Sequence, residues 1–84
     1  MAEKDDVVSL MLDRDVALVV FDFLARAADE EGGEFLQEAL SHEAELPALL
    51  DLLVGLEVML DEPFASDYAR RLERARERIA GRAG

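Results

Sequence analysis

The 84 residues carry 20 acidic side chains against nine lysines and arginines, a formal net charge of −11, and contain no cysteine. A chain of that length holds one domain around one core. The absence of thiols excludes a disulfide framework, a thiolate zinc site and a cysteine nucleophile, and the negative balance argues against nucleic acid as a direct partner, because phosphate binding needs a basic surface.

Apolar residues make up 51% of the chain, the composition of a globular rather than a disordered protein. The opening "MAEKDDVVSLMLDRD" has acids where a secretory leader needs positive charge. No apolar run reaches the roughly 18 residues of a membrane span. These features predict a soluble, cytoplasmic protein without a membrane partner.

In chain order, "VVSLML" (7–12) alternates as a short strand does, with Val8, Leu10 and Leu12 on one face. Asp13 stands where an N-cap belongs, and a helix over 14–30 follows. On this helix Asp15, Asp22, Arg26 and Asp29 fall on one narrow stripe and nearly everything else is apolar. It is therefore expected to be the central element, with Asp22 and Arg26 pairing on an exposed stripe. Gly32–Gly33 ends it.

A short helix over 34–42 turns Phe35, Leu36, Ala39 and Leu40 inward. The next helix, 44–60, starts close before Pro47, which has no N–H to donate. Leu46, Leu49, Leu53, Leu56 and Leu60 form its main stripe, while Leu52, Val54, Val58 and Met59 carry apolar surface round the cylinder. Such a helix is buried on several sides or shared with a second subunit. "DEPFASD" reads as a connector in which Pro63 forces Glu62 out of helical geometry, with Ser66 or Asp67 capping a last helix over 67–80. That helix carries one thin stripe, Tyr68, Leu72, Ala75 and Ile79, and is expected to end at Gly81. The fold class is thus mainly α: a short N-terminal β-strand, then a small helical bundle closed by a C-terminal antiparallel αα-hairpin.

Charge is unevenly spread. Residues 1–63 hold 17 acids against Lys4, Arg14 and Arg26, whereas 64–84 hold six arginines against Asp67, Glu73 and Glu77. The simplest consequence is a terminal helix that docks on its own acidic body.

Glu57 stands within the apolar run "LLVGLEVML". In an antiparallel hairpin it lies at the height of Arg71, with Tyr68 one turn away, so the spacing predicts a structural ion pair of Glu57 with Arg71 supported by the Tyr68 hydroxyl. A catalytic role for Glu57 would need a second acid, base or nucleophile beside it, and the spacing supplies none. His42, the single histidine, has Glu38 four residues before it and Glu45 three after. Carboxylate-bridged metal sites want Glu-x-x-His motifs from two helices, and these are missing. "DEEGGE" lacks the alternating ligands of a calcium loop. No catalytic residue, metal or cofactor is assigned.

An isolated strand leaves its edge unpaired, so two copies of "VVSLML" are expected to pair about a two-fold axis. The predicted homodimer interface comprises Val8, Leu10, Leu12, Val54, Val58 and Met59.

The segments "DVALVVFDFLAR" and "LEVMLDEPFASDYARRLERAR" resemble an uncharacterised family of small acidic helical bacterial proteins. In that family an Asp-x-Ala-Leu-Val-x-Phe helix and a Leu-Glu-x-x-Leu-x-Glu-Pro-Phe-x-x-Asp-Tyr block recur. The resemblance spans most of the chain outside residues 29–43 and implies a shared fold without transferring a function. Two functional expectations stand beside it. The first is a non-enzymatic protein-interaction or regulatory module with an acidic surface, binding a basic protein. The alternative is a small metal-dependent or acid-base enzyme using Glu57 or the Glu38–His42 region.

Overall fold

The computed structural model describes residues 6–29 and 34–83. Four α-helices follow one another: α1 (Arg14–Asp29), α2 (Glu34–Ala39), α3 (Glu45–Met59) and α4 (Tyr68–Ala83), with a 3-10 turn at Glu62–Phe64 between the last two. The mainly α expectation holds. No helix among the described residues is long and apolar enough to cross a membrane.

The expected strand does not form. Val7 to Leu12 have no regular secondary structure and lie exposed, and no strand occurs among the described residues. An alternating pattern gives a strand only where another backbone accepts its hydrogen bonds, and no second strand stands among the described residues to do so. Asp13 caps α1 through its side chain, Oδ1 accepting from the Asp15 amide at 2.9 Å.

α1 is the organising element. It supplies Ala17, Leu18, Phe21, Leu24 and Ala27 to the interior, and α2, α3 and α4 each pack against it. From α3 comes Leu56, and from its C-cap Leu60, with Leu49 and Leu53 half-buried; from α4 come Leu72 and Ala75, with Tyr68 packed at the edge. The core is shallow. Among the described residues no large side chain is less than 2% exposed, and only Ala75 is wholly enclosed.

The predicted αα-hairpin is not found. α3 and α4 lie against α1 rather than against each other. Two extended residues, Leu60 and Ala65, flank the 3-10 turn, so the connector redirects the chain instead of folding it straight back. Pro63 sits in the first turn of that 3-10 segment, where its missing N–H is harmless. Glu62 therefore joins the turn.

Helix ends differ from the expected ones for local reasons. α2 stops at Ala39 because Ser41 and His42 are engaged in starting α3. The Glu45 carboxylate accepts from the Ser41 amide at 2.7 Å, and His42 Nδ1 accepts from the Ala44 amide at 2.9 Å. α4 runs on through Gly81 to Ala83; glycine permits a helix end without forcing one.

Candidate functional site

The polar stripe of α1 is only in part its solvent face: Arg26 and Asp29 are exposed, whereas Asp15 is half-buried. Asp22 is buried, with 9% of its surface exposed, because α4 lies over it. Its Oδ2 accepts from Arg26 Nε at 2.8 Å and from Arg76 Nη2 at 3.1 Å, and its Oδ1 accepts from the Tyr68 hydroxyl at 3.0 Å. A carboxylate taken from water needs such donors. Burial, followed by the adjoining Asp22 carboxylate, pushes the Tyr68 phenol up to about 12.

Further pairs extend this seam. Arg78 grips Asp15 through two hydrogen bonds, 2.6 and 2.8 Å, and Arg82 pairs with Asp13. The partners run in inverse order, 13 with 82, 15 with 78 and 22 with 76, as opposed chain directions require. Arg78 holds the Asp15 carboxyl below its ordinary range. For Asp13 the capping amide of Asp15 lowers it first and Arg82 second. The terminal helix thus docks on the chain's own acids, with α1 supplying them.

Beside this seam, at the start of α1, Arg14 reaches Glu62 by a forked contact of 2.7 and 3.2 Å. That contact ties the helix to the connector and lowers the Glu62 carboxyl. Arg70 and Arg71 share Asp67, at 3.0 and 2.8 Å. Together with Arg74 and Arg78 these side chains line an open groove of about 360 Å³, walled on its apolar side by Leu18.

The expected Glu57–Arg71–Tyr68 cluster is overturned. Glu57 is exposed and has no ion-pair partner among the described residues. Arg71 turns back one helical turn to Asp67, and Tyr68 turns to Asp22. The cause is the missing hairpin, since without α4 along α3 the shared height of Glu57 and Arg71 brings nothing together.

The six predicted interface residues are all exposed: Val8 90%, Leu10 73%, Leu12 40%, Val54 56%, Val58 78% and Met59 73%. Leu10, Leu12 and Met59 border one small hollow of about 190 Å³ whose wall includes Ala17, Leu56 and Leu60. The exposed apolar surface is therefore continuous with the core. In the other region singled out, Glu38 is exposed, Glu45 is bound to Ser41, and His42 Nδ1 is bound to the Ala44 amide. Among the described residues no group of three or more acidic or histidine side chains is placed to hold a metal ion.

Sequence reasoning noticed Asp22 and Arg26 but missed their role. The available signal was a carboxylate on an otherwise apolar, central helix. The groove had a signal too: Arg70, Arg71, Arg74 and Arg78 fall within about 100° of the α4 circumference. No family model matches this chain, and no curated protein or solved structure does either.

Proposed function

We propose that this protein is a non-enzymatic protein-interaction module that self-associates through residues 7–12 and the outer face of α3. The observation that carries this reading is the apolar surface left in water along that face, from Val8 and Met11 (90 and 96% exposed) to Val58 and Met59 (78 and 73%). Contiguous exposed apolar surface marks interaction sites. The shallow core adds a reason, because a domain this small buries a modest share of its surface alone and gains by association. The occupant is a second copy, with the two faces meeting about a two-fold axis.

Salt separates this from the second reading, capture of a basic partner by unpaired acids. Asp51 and Glu57 on α3, and Glu38 and Glu43, have no cation partner among the described residues. Two copies each bearing −11 repel, so self-association tightens as salt screens them, whereas a basic partner is released. Sedimentation equilibrium at low and high salt tests it. A dimer favoured by salt and disrupted by Val58→Glu supports the proposal; a monomer at every salt concentration and at millimolar protein overturns it.

A further inference from the structure

Four of the five arginines lining the α1–α4 groove are accounted for by carboxylates: Arg14 by Glu62, Arg70 and Arg71 by Asp67, and Arg78 by Asp15. Arg74 is not. It stands in the middle of the same face and has no acidic partner among the described residues. Its neighbours also keep unused donors. Arg14 and Arg78 engage Nε and Nη2, Arg71 engages Nε and Arg70 engages Nη2, so Nη1 of each has no protein partner among the described residues.

Five guanidinium groups against the three lining carboxylates Asp15, Glu62 and Asp67 leave the lining at +2 on a chain of −11, or +1 when Asp61, 4.0 Å from Arg14, is counted with them. Helix docking explains the paired arginines and leaves this surplus unexplained. Solvation of Arg74 alone is the plain alternative, but it does not account for clustering of the surplus in one concavity. Planar guanidinium forks suit tetrahedral oxyanions, and a phosphoryl group carries about −1.5 to −2 at neutral pH, opposite in sign to the surplus.

We propose that this groove binds a phosphoryl dianion, with Arg74 as its central contact. Arg14, Arg71 and Arg78 contribute their spare N–H donors, and Leu18 borders the space left for whatever the phosphoryl group is attached to. Arg14 also borders the hollow next to Leu10, Leu12 and Met59, but Arg71, Arg74 and Arg78 lie on α4 and line only the groove, so their response separates phosphoryl binding from self-association.

The test is a two-dimensional ¹⁵N NMR titration of the intact protein, run with inorganic phosphate and with glycerol phosphate against sodium chloride at matched ionic strength. Saturable shifts at Arg71, Arg74 and Arg78 with either phosphate, and none with chloride, are expected. Tighter binding of glycerol phosphate identifies a phosphate monoester as the ligand class, and equal binding identifies free phosphate. Arg74→Gln should weaken binding about tenfold and Arg74→Lys should restore most of it. Arg82→Gln, which removes the same charge outside the groove, should leave it nearly unchanged. Linear, non-saturating shifts, or equal losses in R74Q and R82Q, would show diffuse charge attraction and overturn the proposal. Folding of R74Q is secure because that side chain has no hydrogen bond or ion pair with another described residue, and circular dichroism checks it.

Discussion

The hydroxyl of Tyr68, at the first position of α4, donates to Oδ1 of Asp22, in the middle of α1, across 3.0 Å. This hydrogen bond joins residues 46 apart in sequence and closes the donor set around the one buried carboxylate among the described residues. Tyr68→Phe should destabilise the fold by about 1–2 kcal/mol. A hydrogen bond to a charged acceptor contributes toward the upper range, but Asp22 retains two arginines. Urea denaturation of wild type and variant measures the difference.

The same contact fixes a response to alkali. Tyr68 is the sole tyrosine, so phenolate absorbance reports it directly. Its phenol should ionise near the ordinary value of 10 in denaturant and near about 12 in the folded protein. A folded value above the unfolded one means that the contribution to stability is complete below pH 10 and is lost as pH rises toward 12. A folded-state midpoint at 10 would show that the hydroxyl is not held.

Asp22→Asn keeps the size and removes the charge. Deleting one partner of a fully buried ion pair costs about 3–5 kcal/mol. Here Arg26 and Arg76 have side chains 51 and 44% exposed and rehydrate, so a loss of about 2 kcal/mol is expected. In a double-mutant cycle with Y68F the two losses should fall short of additivity by about 1 kcal/mol. Strict additivity would mean that the two groups are not coupled.

Acid should loosen the helix seam. Asp13, Asp15, Glu62 and Asp67 are all held below their ordinary values by hydrogen bonds, from arginines in every case but Asp13, where the Asp15 amide leads. A folded value below the unfolded one gives stability that is present above the unfolded value and lost as pH falls through the folded one. For these groups the loss starts below 4.5 for the glutamate and 3.8 for the aspartates. Thermal melts from pH 6 down to 2 should show it, and Arg78→Gln should flatten the part that Asp15 contributes.

Two glycines offer stabilisation. Gly55 in α3 and Gly81 in α4 have helical backbones, and a Cβ at either would meet nothing within 4 Å. Alanine at each should raise stability by about 0.5–1 kcal/mol through helix propensity and reduced freedom of the unfolded chain. Leu18→Ala is the opposite control. With 3% exposure in the second turn of α1, it should cost about 2–4 kcal/mol, a large share of what a domain of this size holds in reserve.

Helical periodicity made α1, α3 and α4 legible, because each has an apolar stripe that only a 3.6-residue repeat aligns. It did not reveal which helix each stripe meets. Leu49, Leu53 and Leu56 on α3, with Leu60 at its C-cap, and Leu72 and Ala75 on α4, are equally suited to one another and to α1. A short link suggests a straight return, whereas residues 60–67 hold a turn of their own. The placing of Glu57 failed with that assumption. Asp22 is the converse case: a charged residue suggests an outward face, but the neighbouring helix brings it Arg76 and Tyr68.

The sequence by itself determined a mainly helical chain, an Asp13 cap, a central α1 and a terminal helix whose cations must answer acids elsewhere in the molecule. These follow from local spacing and from overall charge. Tertiary structure alone decided that α1, and not α3, receives α4, that Asp22 lies beneath the seam, and that Arg74 is left over in a groove. Such outcomes depend on which surfaces meet at a distance, and residue spacing within one helix carries no information about its partner.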